Sequence, residues 1–341
     1  MPLSTDILSC SLSELSDRLV ALGEPAYRAK QVFEWIYRKG ALDHETMTSL
    51  PKGLRDKLAA QAPFPILKEK KVQKSGDGTA KFLWELRDGQ AIETVFIPME
   101  DHNTLCISSQ AGCKFGCGFC ASGLGGWKRN LDCGEIIGQI LQVRRAVHPK
   151  PVTHIVFMGV GEPFDNYDNV LKAVRLMNAK EGLEIGARRI TISTCGVVPG
   201  IKKLVGEGLQ IELSVSLHAS SDRLRDELMP VNRKYPLKEL MSACRGYAEE
   251  TGRQVTFEYI LIKGKTCNEK NADELKGLLR GWLCKINLIA CNPVKEFACE
   301  PPVRSEIENF LRMLEVRGIH ATFRTPRGRD IAAACGQLRH A

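Results

Sequence analysis

Apolar positions divide the 341-residue chain into three successive stretches, and the period in each predicts a different kind of structure. Near the start they recur at intervals of three and four: Leu12, Leu15, Leu19 and Leu22, then Val32, Phe33 and Ile36. That spacing lines one face of a helix, so it predicts two short helices broken near Gly23 and Pro25, and a third over 51–60. Further on the period falls to two. Phe82, Trp84 and Leu86 alternate with Lys81, Leu83 and Glu85 between the turn signals Ser75-Gly76-Asp77-Gly78 and Asp88-Gly89. This predicts a small antiparallel hairpin completed by 92–97. Glu93 falls in its last strand, where an isolated glutamate is expected to face solvent.

From 103 onward the two periods alternate. Strand-like runs at 104–108, 153–158, 189–194, 211–217, 255–262 and 286–291 are separated by helical patterns, among them 170–177, 237–249, 272–282 and 307–316. The clearest helix starts at Asp132, an N-cap with Glu135 three residues on as a capping box, and carries Ile136, Ile137, Ile140 and Leu141 on one face. Six strand–helix units predict a parallel sheet, because parallel neighbours need crossover connections and helices supply them. The fold class expected is α/β, an incomplete barrel in preference to a doubly wound sheet. The expected domains are a helical N-terminal accessory unit over 1–62, an antiparallel hairpin connector over 63–102 and a core over 103–341. In either topology the ligand site lies at the carboxyl ends of the strands.

Composition narrows the class of protein. Thirteen cysteines, an odd and scattered number without a secretory signal before them, argue against a disulfide scaffold and for a reducing compartment. No apolar run reaches the roughly 20 residues that span a bilayer. The expected location is cytoplasmic. A formal net charge of +8 favours a polyanionic partner such as RNA. Arg28, Lys30, Arg38 and Lys39 on the helical unit fit either a solvated surface or a grip on phosphates.

The candidate chemistry centres on Cys113-Lys-Phe-Gly-Cys117-Gly-Phe-Cys120, which follows the first strand of the core. Three soft thiolates within eight residues converge readily on one metal centre. Structural zinc sites close with four ligands, and no second C-x2-C pair follows, although Cys106 or Cys133 remains available as a fourth ligand. An iron–sulfur cluster on three thiolates instead keeps one iron open for a ligand. Other strand ends carry polar groups: Gly159-Val-Gly161-Glu162-Pro163 after the second, Ser193 on the third, Ser216-Leu217-His218 on the fourth and Asn292 after the sixth. Each alone reads as a cap or loop residue, but together they line a ligand cleft, where Glu162 can accept from an amine. Cys335, between an alanine run and Gly336, and Cys106 both read as small buried hydrophobes. Spacing does not show that they meet.

The cysteine motif, with Phe119 before its last cysteine, resembles the radical S-adenosylmethionine (SAM) superfamily. Thr104 through Cys120, Gly161-Glu162-Pro163, Ser193 through Pro199, Ser216-Leu-His218, Met229-Pro-Val-Asn232, Asn292-Pro293, Ala334-Cys335-Gly336-Gln337 and Tyr27-Arg-Ala-Lys-Gln31 extend it to the RlmN and Cfr RNA methyltransferases over essentially the whole chain. The resemblance implies a partial (β/α)6 radical SAM barrel and methyl transfer to an adenine carbon. It places a 4Fe-4S cluster on Cys113, Cys117 and Cys120, and SAM, two molecules per turnover, on Gly161, Glu162, Ser193, Ser216, Leu217, His218 and Asn292. It makes Cys335 the methyl carrier, from which a deoxyadenosyl radical removes hydrogen. Cys106 then resolves the protein–RNA adduct through a disulfide with Cys335, and Glu93 is the proton acceptor. The implied partners are 23S rRNA, tRNA and an electron donor such as a flavodoxin system, with a monomeric enzyme. Pro163 favours C2 methylation over Cfr-type C8 methylation, since Cfr-like sequences place alanine there. Val160, Ser122 and Cys195 depart from the usual Met, Thr and Ser without removing a group that this chemistry needs.

Overall fold

The structure is a computed structural model that describes residues 6–297 and 299–339. The N-terminal periodicity forms α1 (Leu12–Ala21), α2 (Arg28–Phe33), which runs on as a π-helical turn over Glu34–Arg38, and α3 (Lys52–Gln61). Ser11 caps α1 by accepting from Glu14 N, while Ser11 N donates to the Glu14 carboxylate at 2.7 Å. Two donors at the helix start are thereby satisfied. The unit is tied to the rest of the chain by Gly134 N donating to Ser9 Oγ at 2.7 Å and by the ion pairs Lys172–Glu14 and Arg38–Glu184 at 2.8 and 2.7 Å.

The alternating stretch forms three strands where the pattern predicted two: β1 (Leu67–Lys74), β2 (Ala80–Leu86) and β3 (Ala91–Pro98), all antiparallel. β1 is largely exposed and carries four lysines and a glutamate, which hides its period and blunts the open edge of the sheet. β3 pairs antiparallel with β4 (Asn103–Cys106), so these strands continue the main sheet. Next come the short hairpin of β5 (Gln110–Gly112) and β6 (Trp127–Asn130), which brackets the cysteine loop, and α4 (Cys133–Val147). Asp132 N donates to the Glu135 carboxylate at 3.0 Å, as the capping box requires.

The remaining chain alternates β7 (His154–Phe157), α5 (Tyr167–Asn178), β8 (Ile190–Thr194), α6 (Val198–Val205), β9 (Glu212–Ser216), α7 (Asp222–Leu228), α8 (Leu237–Thr251), β10 (Val255–Leu261), α9 (Glu269–Leu279), β11 (Cys284–Ala290), α10 (Arg304–Val316) and β12 (Ala321–Arg324). From β4 through β7 to β12 these strands are parallel, and their order in space is their order in the chain. A doubly wound sheet reverses that order at a switch point, so the fold is a barrel wound in one direction and left open between β1 and β12. β12 is a seventh parallel strand that the pattern did not predict. Four residues of mixed character, Ala-Thr-Phe-Arg, are too few to display a period.

Along each parallel strand the residues alternate between two environments. Ile155, Phe157, Ile192, Leu213, Val215 and Phe257 are buried under the helices. The intervening positions, among them Ser193, Ser216, Glu258 and Asn287, line the barrel interior. A polar interior makes this barrel a cleft instead of a packed core.

Candidate active site

The cleft is built at the carboxyl ends of the strands, with an empty volume of about 1020 Å³ counted out to its open mouth. Cys113, Cys117, Cys120, Gly161, Glu162, Ser193, Ser216, His218, Asn292 and Cys335 all line it. The cysteine loop is fixed by its backbone: Cys120 N donates to Cys117 O at 3.1 Å, Gly118 N to Leu228 O at 2.9 Å and Ala121 N to Gly336 O at 2.7 Å. The last of these bonds lays the C-terminal segment directly against the loop. Asn292 holds the same segment from the other side, its Nδ2 donating to Cys335 O at 2.9 Å while its Oδ1 accepts from Arg329 Nε at 2.7 Å.

Glu162 is buried and bound to backbone on both oxygens: Oε1 accepts from Phe164 N at 3.0 Å and Oε2 from Cys195 N at 2.7 Å. Burial raises its pKa against these bonds. Gly161 sits at φ +108°, and a Cβ there would lie 2.6 Å from Cβ of Gln110, whose Oε1 accepts from Glu162 N at 2.8 Å. Only glycine fits this turn. His218 also takes a left-handed backbone, at φ +55°. Ile260 N donates to its Nδ1 at 3.1 Å, so the ring proton belongs on Nε2. Burial lowers its pKa to about 3, and the imidazole is neutral. Leu217 does not line the cleft. Its side chain is buried in the core, and only its backbone faces the site's scaffold.

Cys106 and Glu93 lie beside the cleft instead of on its wall. Cys106 ends β4 opposite Val95 of β3 and packs with Val160, Ala333 and Leu338, beneath the C-terminal segment. Its thiol is pushed up to about 12, by burial first and then by the nearby Cys335. Cys335 is exposed, yet crowding around its sulfur raises it to about 11, with Arg324 opposing. The expectation that Glu93 faces solvent is wrong. It is 7% exposed, pairs with Lys81 at 2.9 Å and accepts from Arg339 N at 2.8 Å. Lys81 in turn donates to Ala332 O at 3.0 Å. Strands β2 and β3 thus grip the segment that carries Cys335.

Burial raises all three loop thiols, Cys113 to about 12, and Cys117 is raised further by Cys120 and Cys113. Among the described residues no three metal-ligating side chains already surround a single-ion point. The donor set itself fits an iron–sulfur cluster: three free thiols on one loop, facing one cleft, whose mutual repulsion a bound cation centre would relieve. Glu258, which sequence reasoning missed, also lines the cleft. Its Oε1 accepts from Ser214 Oγ at 2.8 Å and Asn287 Nδ2 at 3.2 Å. The signal was a lone carboxylate within Val-Thr-Phe-Glu-Tyr-Ile-Leu, an otherwise buried strand.

Residues 107–275 match the Radical SAM superfamily, and residues 5–63 match the ribosomal RNA large subunit methyltransferase N-terminal domain. Over 335 residues the chain is 47% identical to the probable dual-specificity RNA methyltransferase RlmN of Bacillus cereus, an alignment covering 98% of this chain and 92% of that protein. The chain belongs to the RlmN family. The RlmN protein of Pelotomaculum thermopropionicum is 49% identical over 337 residues, covering 98% of this chain and 91% of its own. A crystal structure of a radical SAM methyltransferase from Sphaerobacter thermophilus superposes with a TM-score of 0.95 at 47% identity, covering 98% of this chain and 99% of that one. Membership of this radical SAM family implies SAM and a 4Fe-4S cluster as cofactors.

Proposed function

We propose that this protein methylates C2 of adenosine in 23S rRNA and in tRNA, using Cys335 as the carrier of the methyl carbon. The observation that carries the reading is the packing of Cys106 beneath the C-terminal segment, whose Cys335 lines the same cleft as the three loop cysteines. The relatives' printed name, dual-specificity RNA methyltransferase, supports RNA as the substrate. Cys113, Cys117 and Cys120 hold the cluster, and Gly161, Glu162, Ser193, Ser216, Leu217, His218 and Asn292 bind SAM, Leu217 through its backbone. When bound, cluster and SAM together supply one-electron chemistry, which adenine C2 needs because an electrophilic amidine carbon offers no nucleophile for a polar methyl transfer.

The protein's own groups divide the rest of the work. Cys335 takes a methyl group as a thioether, consuming one SAM, and its carbon becomes bonded to C2 while a second SAM is consumed. Glu93 accepts the C2 proton. The Cys106 thiolate then attacks the Cys335 sulfur, forming the S–S bond as the S–C bond to the modified base breaks. The freed carbon, which gave up one hydrogen before coupling, takes a proton to become the methyl group, the one surplus electron would return to the bound cluster, and an external reductant restores both thiols. The target adenosine enters unstacked, which costs little in a loop or single strand. A small reducing protein of the flavodoxin kind is the proposed electron donor, and the enzyme works as a cytoplasmic monomer. The test is nucleoside mass spectrometry after anaerobic incubation of cluster-loaded protein with SAM, reductant and protein-free 23S rRNA. 2-Methyladenosine is expected, whereas 8-methyladenosine would assign Cfr-type chemistry, and neither product, with SAM still cleaved, would remove RNA as the substrate.

A further inference from the structure

The proposed reaction leaves Met229-Pro-Val-Asn232 and α7 before it without a role, yet this segment is tied to the ends of β8 and β9 and to the cysteine loop. At its centre is Arg225, fully buried at 0% exposure. Its Nε donates to Leu217 O at 3.1 Å, its Nη2 to Cys195 O at 2.8 Å and Ser216 O at 3.1 Å, and its Nη1 to Asn232 Oδ1 at 3.0 Å. One guanidinium therefore joins the end of β8 to the end of β9, the two stretches that present Ser193 and Ser216 to the cleft. The fork lies so close that a Cβ on Gly196, at φ +106°, would come within 3.0 Å of Nη2. Asn232 orients the fork from behind, its Nδ2 donating to Asp222 Oδ1 at 2.9 Å and Asp226 Oδ1 at 2.8 Å. The same helix reaches the cysteine loop through Gly118 N and Leu228 O at 2.9 Å.

Burying a guanidinium is costly unless its donors are satisfied. Four neutral acceptors satisfy this one, and the Asp222 carboxylate that orients Asn232 is close enough to favour its charge.

We propose that Arg225 is a positioning residue that locks the β8 and β9 ends into one SAM-binding wall. The inference rests on the proposed SAM assignment. Lysine keeps the charge but cannot span four acceptors, whereas methionine removes both.

The test compares Arg225→Lys and Arg225→Met with the wild type, all cluster-reconstituted, by iron content, SAM affinity from anaerobic calorimetry, and the electron paramagnetic resonance spectrum of the reduced cluster with and without SAM. Both variants are expected to retain iron and to bind SAM about tenfold more weakly, the loss expected when charge-assisted hydrogen bonds that order a site are removed. The SAM-induced change in the spectrum is expected to need about tenfold more SAM in both variants. Wild-type SAM affinity in both would overturn the proposal. If neither variant folds, Asn232→Ala decides, since it withdraws a single acceptor. SAM binding about threefold weaker with iron intact supports the clamp, and unchanged affinity refutes it. A wild-type protein that takes up no iron or SAM would instead refute the proposed function itself.

Discussion

His218 shows how much a single residue is asked to do. It takes a left-handed backbone so that its ring turns back to accept from Ile260 N, and it packs edge-on against Phe119, two positions beyond Cys117 in the loop, at 4.7 Å between centroids. Because burial lowers its pKa to about 3, the folded protein refuses a proton that the unfolded chain accepts below about 6.5. Its contribution to stability is therefore complete above pH 6.5 and is lost as pH falls toward 3. Thermal melts between pH 4.5 and 7 are expected to show a shallower pH dependence in His218→Asn, asparagine being tolerant of the left-handed region, than in the wild type. The Lys81–Glu93 pair is the second case. Both partners are nearly inaccessible, so Glu93→Ala leaves a buried ammonium and is expected to cost about 3–5 kcal/mol in denaturant unfolding. An unchanged midpoint would mean that the pair is not held as described. At the loop, Cys117→Ala is expected to abolish most iron uptake on reconstitution, and full occupancy would contradict the cluster assignment.

The element that most depends on its neighbours is the C-terminal segment, which has little regular structure beyond a short 3-10 turn over Arg329–Ile331. It is held from four directions: Asp330 accepts from Ser75 Oγ at 2.7 Å, Ala332 O from Lys81, Cys335 O from Asn292, and Gly336 O from Ala121 N. Lys81→Met is accordingly expected to lower methyl transfer at least tenfold while leaving iron content and SAM affinity near wild type, since it loosens the segment and unpairs Glu93 without touching the cleft's other walls. Loss of SAM binding in that variant would show the segment and the SAM wall to be one unit. Little of this was legible in the sequence. Periodicity revealed the core strands and long helices, because burial on one face imposes it. α6 contains Pro199 and Gly200, which read as breakers, and α7 spans only seven residues. The grip of β2 and β3 on the C terminus depends on contacts across the whole sheet, which no local pattern records.

At the scale of the molecule, a one-way barrel brings the first and last parts of the core to a single cleft. The cysteine motif and the polar strand ends were readable because each is local. The placing of Cys106 beneath the segment that carries Cys335, and the burial of Glu93, were not, because both arise only when β3, β4 and the C-terminal segment assemble. The resemblance to RlmN and Cfr supplied those roles in advance of any physical reason. The claim that joins these parts is that Cys335 bonds covalently to the target base and Cys106 releases it. The most direct test incubates Cys106→Ala, cluster-loaded and anaerobic, with SAM, reductant and 23S rRNA, followed by denaturing electrophoresis and mass spectrometry of the digested product. The account predicts a protein–RNA species that survives denaturation, joined from the Cys335 sulfur through one carbon to C2 of adenosine. Released methyladenosine at the wild-type rate, with no such species, would contradict it.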